Sequence, residues 1–230
     1  MIDLKEVKKG IVAHTGEETP YIRKFIAYLD SINKVDKNGR DGTFGMSNAD
    51  MLKIFVKFDA IGICIDGVNA AITAYNRVFI TWVGYKNKVI STYPEAEFDV
   101  QLVREGDEIS FAKESGSVVY THSLGDPFAS NKGIIGSYCV IKTKRGEALE
   151  TLGKDDFEKM KAGSSLQTSW NKWESEFWLK SVIKRACKRH FNDIVSDIEL
   201  VDNENYSQEE DYGNADEDKK KAIIDAHKNS

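Results

Sequence analysis

Apolar residues recur at helical spacing at Ile22, Phe25, Ile26, Leu29 and Ile32, which predicts a helix with Thr19 as its N-cap and Pro20 in its first turn. The pattern breaks at Lys37-Asn38-Gly39. Ser47 and Asp50 then carry the signature of a capping box, ahead of a second helix through Met51, Leu52, Ile54, Phe55 and Phe58 that stops near Gly62. Between these helices Gly39, Gly42 and Gly45 match neither GxGxxG nor GxxxxGK(S/T) and follow no strand, so they read as a flexible turn or hairpin rather than a phosphate cradle.

From about Arg77 to Glu150 the period changes. Short runs rich in Val, Ile, Tyr and Phe (RVFITWVGY, EFDVQLV, EISFA, SVVYTH and GIIGSYCVIKT) alternate with turn signals at Glu105-Gly106-Asp107, Ser115-Gly116-Ser117, Gly125-Asp126-Pro127 and Lys144-Arg145-Gly146. No helix-length segment separates the runs, so the strands should pair mainly antiparallel. Helical character returns at Lys154 to Lys161 and again from Trp170. The order predicts an α+β fold, a single domain over residues 1–201 with a mainly antiparallel curved sheet packed by helices on one face.

The run from Trp170 to Phe191, WNKWESEFWLKSVIKRACKRHF, predicts one helix, capped by Thr168 or Ser169, that is two-faced. At about 100° per residue, Leu179, Val182, Ile183, Ala186, Cys187 and His190 share an apolar side. Lys180, Lys184 and Lys188 step along the opposite side, Arg185 and Arg189 widen the arc, and Trp173, Phe177 and Trp178 lie among the cations or at their margin. Lysine and arginine bind a phosphate backbone with little sequence preference, and unstacked bases lie on aromatic faces, so the combination suits single-stranded nucleic acid. The same pattern also describes a solvated charged face over a packed apolar one.

Charge sharpens this picture because of where it lies. Residues 202–230 hold 4 Lys plus Arg against 9 Asp plus Glu, which is the whole net charge of −5 and leaves residues 1–201 balanced at 28 of each. A neutral domain with a basic stripe is therefore expected to precede a flexible acidic tail, which either solubilises the chain or competes with DNA or docks a partner. No run of about 18 apolar residues points to a membrane span, and MIDLKEVKKG has no apolar core of a secretion signal. Cys64, Cys139 and Cys187 are far apart, odd in number and without metal-ligand spacing, which fits a reducing cytoplasm with neither disulfide nor zinc.

Recognisable catalytic chemistry is sparse. His14, His122, His190 and His227 are scattered, and GxSxG, HExxH and CxxC are all missing. Acids at Glu95, Glu97, Asp99, Glu105, Asp107 and Glu108 could in principle hold two metal ions for phosphodiester cleavage, but acids beside turns are ordinarily solvated. A binding protein is thus expected ahead of a metal-dependent nuclease.

Taken in order, several segments resemble the RecT family of phage-type single-strand annealing proteins. WVGYKNKVI at Trp82–Ile90 looks like the family's strand-to-helix stretch, with Asn87 where glycine is usual, and VREGDEISF at Val103–Phe111 is similar to its VxEGDxF segment. Tyr120-Thr121-His122 resembles its (I/Y)xH strand, GSYCVIKTKRG its following strand and turn, and Trp170–Glu174 with LKSVIKRACKRHF its tryptophan-bearing basic helix.

The resemblance implies ATP-independent annealing of complementary DNA strands during homologous recombination. It implies a homo-oligomeric ring or helical filament whose partners are single-stranded DNA, the annealed duplex intermediate, a 5'-3' exonuclease and a host single-strand-binding protein. It further implies a phage or prophage origin and a site in the cytoplasm of a bacterial host. No cofactor is required, Mg²⁺ being expected at most as a companion of bound DNA. A passive single-stranded DNA-binding protein is the alternative. On this footing phosphate contacts fall to Lys180, Lys184, Arg185 and Lys188 on the helix and to Lys86 and Arg104 at the sheet edge, while Tyr85 and Trp173 stack on bases, line the groove, or are ordinary core aromatics.

Overall fold

A computed structural model describes residues 2–35, 39, 41–43, 45–73, 77–114, 117–126, 132–164 and 167–201. The acidic segment 202–230, Ser115-Gly116, Pro127 and Lys37-Asn38 of the sequence reading lie outside the described residues. The described backbone divides into two compact units, one formed by residues up to Thr81 together with 196–201, the other by Trp82–Val195.

The first unit is helical with a small hairpin. Helices α1 (Leu4–Thr15), α2 (Pro20–Ile32) and α3 (Asn48–Ala60) bury Val7 and Ile11, Ile22, Phe25 and Leu29, and Met51, Phe55 and Phe58, with the Phe25 and Phe55 rings 5.3 Å apart. The Thr19 hydroxyl caps α2, and the Ser47–Asp50 capping box closes on α3 in both directions, as their spacing predicts. Helix α1 is an addition to the sequence reading, set by Asp3, whose carboxylate accepts the Lys5 and Glu6 amides at 2.9 and 3.1 Å, and ended by Gly16 at φ 83°. In the glycine segment Val35 bridges Asp41 antiparallel, and a Cβ on Gly42 would fall 2.1 Å from the Ile32 carbonyl oxygen, a space only glycine can occupy. Strands β1 (Ala70–Thr73) and β2 (Arg77–Ile80) pair antiparallel, and the amide of Ile72 donates to the Tyr28 hydroxyl at 2.9 Å.

The second unit opens with α4 (Trp82–Thr92), which corrects the reading of Trp82–Tyr85 as the continuation of a strand. Gly84, Tyr85 and Val89 point inward at helical spacing, so burial of that face decides the local structure over the β-preference of Trp82, Val83 and Tyr85. Then follow β3 (Glu97–Arg104), β4 (Glu108–Glu114), β5 (Ser117–Ser123), β6 (Ile134–Thr143), β7 (Gly146–Gly153), α5 (Lys154–Ala162), α6 (Gln167–Lys172) and α7 (Glu174–His190). All pairings are antiparallel, and they form a β3–β6–β7 sheet and a separate β4–β5 hairpin rather than one continuous sheet.

Strand β6 explains the layering. Ser137, Tyr138, Cys139, Val140 and Ile141 are all buried, so both faces of this central strand are covered. On one face Tyr138 and Val140 meet Val103 of β3 and Val118, Phe111 and Tyr120 of the hairpin. On the other, α7 lies across the sheet, and the Ser137 hydroxyl donates to the Trp178 carbonyl at 3.3 Å. The helical segment 192–201 follows α7.

Candidate nucleic-acid interface

The basic segment is two helices. Trp173, at φ −122° and ψ 40°, leaves the helical region between α6 and α7, which corrects the expectation of one helix capped by Thr168 or Ser169. Both of those residues lie inside α6. No side chain caps α7; Glu174 and Glu176 stand in its first turn and Lys188, Arg189 and His190 in its last, so charge opposes the helix dipole at both ends.

The aromatic residues among the cations separate into two roles. Trp178 is 1% exposed and stacks on Phe157 at 3.9 Å with the planes 4° apart. Phe177 stacks on Trp170 at 4.5 Å. Both rings fix α7 against its neighbours, and Trp178 belongs to the packed face rather than to the margin of the basic one. Trp173 instead is 55% exposed, with the Lys172 ammonium 5.3 Å from its ring centre, and presents an open aromatic face.

Three lysines run along the outward side of α7. Lys180 Nζ lies 5.6 Å from the Phe177 ring centre, and Lys184 and Lys188 lie 4.9 and 5.4 Å from that of Tyr85 on α4. Tyr85 itself is fully buried, so its place is beneath the lysine stems, in the α4–α7 contact, rather than on the surface where a base could stack. Lys86 extends the basic strip, its ammonium 5.0 Å from the Phe98 ring centre on β3. Rings under ammonium groups hold these cations in place at about 0.5–1 kcal/mol each at exposed sites. Arg104 is not part of this cluster. It lies six residues along β3 from Phe98, about 20 Å away, where its guanidinium donates to the Lys132 carbonyl at 3.1 Å.

Arg185 turns the other way. Its Nε lies 2.7 Å from Glu150 Oε1 on β7 and its guanidinium donates to Asp156 Oδ2 on α5 at 2.7 Å. Arg189 joins the same Glu150 oxygen at 3.0 Å, and His190 Nε2 is 3.2 Å from the other. The Glu150 side chain is only 3% exposed, and a buried carboxylate needs such partners. The bond from Arg185 holds the Asp156 carboxyl below the usual range. Glu150 and Asp156 are partners of these cations that sequence reasoning missed, because the pairs join positions 29 to 40 residues apart.

The segments Val103–Phe111 and Tyr120–His122 meet on the far face of the sheet. Asp107 Oδ2 accepts the Arg104 amide at 2.7 Å and lies 3.3 Å from His122 Nε2, while His122 Nδ1 is 3.2 Å from the Tyr138 hydroxyl. Tyr120 donates to Asp99, a bond that with burial pushes its phenol up to about 12. Among the described residues no group of three or more His, Cys, Asp or Glu side chains converges as metal ligands, and no helix is long and apolar enough to cross a membrane.

A model of the RecT family matches residues 78–224, which runs from within β2 through the basic helix α7 and beyond. Among curated proteins none matches the chain.

Proposed function

The chain belongs to the RecT family of single-strand annealing proteins, and from that premise we propose that it pairs complementary DNA strands in recombination without ATP, working as an oligomer assembled on DNA. The carrying observation is the strip formed by Lys180, Lys184 and Lys188 on α7 with Lys86 on α4, beside the exposed Trp173. Bringing two polyanions together meets Coulomb repulsion, and a row of ammonium groups neutralises phosphates while leaving base edges free to test pairing. Holding the lysines over rings lowers the conformational cost of that contact. The chemistry needs no cofactor, since no covalent bond is made or broken; Mg²⁺ at most accompanies the DNA. The reaction belongs in a cytoplasm, on strands exposed by a 5'-3' exonuclease and covered by a single-strand-binding protein.

Sedimentation of the protein with an oligothymidylate, then with a complementary pair, tests the reading. Complexes holding many copies of the chain, growing when the complement is added, support it. One copy per strand in both cases would identify a passive single-strand binder instead.

A further inference from the structure

The clamp around Asp107 does more than join a hairpin to a sheet. Asp107 accepts the amides of Arg104 and Gly125 at 2.7 and 2.9 Å, the Glu105 amide donates to the Gly133 carbonyl at 3.0 Å, and Arg104 donates to the Lys132 carbonyl. Turn 104–107 is thereby tied to the chain at 125 and at 132–133. Two glycines sit at the junction, Gly106 at φ +88°, and a Cβ on either Gly106 or Gly125 would come within 3.0 Å of Lys132 Nζ. Their bare backbone is what allows the ammonium to lie against the turn on which Arg104 is anchored.

Among the described residues neither the Lys132 ammonium nor the Arg104 guanidinium has a carboxylate at ion-pair distance. Asp107, the acid inside the turn, is saturated by Arg104, Gly125 and His122. Glu105 reaches instead along Gly133, where a Cβ would lie 3.3 Å from its Oε1. Among the described residues these two cations thus stand without a carboxylate at ion-pair distance, the guanidinium held by its bond to the Lys132 carbonyl and the ammonium lying over Gly106 and Gly125. Such an arrangement recognises a phosphate oxyanion: the guanidinium offers paired donors and the ammonium a point charge.

We propose that Arg104 and Lys132 form a second phosphate seat, remote from the α7 strip, that holds a backbone phosphate of a DNA strand, with Asp107 and His122 as the positioning residues. The seat rests on the reading of the chain as a single-stranded DNA-annealing protein. At about 20 Å from Phe98 it lies several nucleotides from the Lys86 end of the strip, so one strand can engage both or each can hold a different strand.

The test uses the full-length protein and two unrelated labelled single strands, with binding followed over a salt series. R104Q and K132Q should each lower the log–log salt slope by roughly 0.7 on both sequences, and the double variant by about twice that. G125A keeps both charges but crowds the Gly106 carbonyl, 2.8 Å from the added Cβ, as well as the ammonium, so it should distort the seat and weaken binding in the same direction as K132Q, and K132Q should then add little to it. A folded double variant with wild-type affinity and slope, while the wild type binds and anneals normally, would overturn the seat and leave the annealing reading intact. If the wild type binds no single-stranded DNA, that reading fails and the seat falls with it. Titration with inorganic phosphate separates the sources: phosphate binding lost in the double variant with DNA binding unchanged would make this a free-anion site and overturn its assignment to a strand.

Discussion

Arg185 and Glu150 form a bond of 2.7 Å across the α7–β7 contact, with the Glu150 side chain 3% exposed and that of Arg185 25%. A cation so committed belongs to the docking of α7, although in the sequence it is one of five basic residues in a run of ten. Removing one partner of a buried pair strands the other charge in a poor solvent. Arg185→Ala should therefore destabilise the protein by about 2–3 kcal/mol, with Arg189 and His190 still serving Glu150. The triple variant K180A/K184A/K188A should act on binding instead, flattening the salt dependence by roughly 0.7 per lost contact, with a stability loss confined to the stems packed over Tyr85 and Phe177. Thermal unfolding and salt titration of the two variants side by side check the separation.

Trp173 and Trp178 offer the same contrast for aromatic residues. Trp178, stacked on Phe157, should cost about 3–5 kcal/mol of stability on truncation to alanine. Trp173, largely in solvent, should cost little stability but about 1–3 kcal/mol of single-strand binding if a base stacks on it. Quenching of tryptophan fluorescence by added DNA, lost in Trp173→Phe, measures the contact directly.

The Asp107 clamp predicts an acid limb of stability. Burial would raise this carboxyl, but the amides of Gly125 and Arg104, with His122, hold it below its ordinary value of 3.8. The unfolded chain then takes up the proton first as pH falls, so the stabilisation is complete above about pH 4 and is lost as pH drops through the folded value. Asp107→Asn should lower stability at neutral pH by about 1–3 kcal/mol and flatten the decline below pH 4. Thermal midpoints between pH 7 and pH 3 give the answer.

Burial pushes the thiols of Cys64 and Cys187 up to about 12 and that of Cys139 higher still. All three should resist alkylation at pH 8 in the native state and react together once the protein is unfolded. Modification of one of them within minutes under native conditions would mean that its element opens readily.

Elements with local signals were readable from the chain: α2 and α3 from their caps, and most strands from the turn residues between them. Those set by distant contacts were not. Strand β7, GEALETLG, consists largely of helix-favouring residues and is extended because β6 pairs with it along its length. Helix α1 buries only Val7 and Ile11, too sparse a stripe to register, and β1 is four residues long. For the site, the four-residue lysine spacing was legible because a helix converts it into a stripe. Glu150 was not, since nothing near it in sequence foretells Arg185, and neither was the burial of Tyr85, decided by where α7 docks.

The most direct measurement is the rate at which two complementary labelled oligonucleotides anneal at physiological salt with the protein present and ATP omitted, with a non-complementary pair as control. Rapid formation of intact duplex from the complementary pair alone, slowed in K180A/K184A/K188A, is the predicted result. Strands that are bound but pair no faster than in buffer, or strands that are shortened, would contradict it.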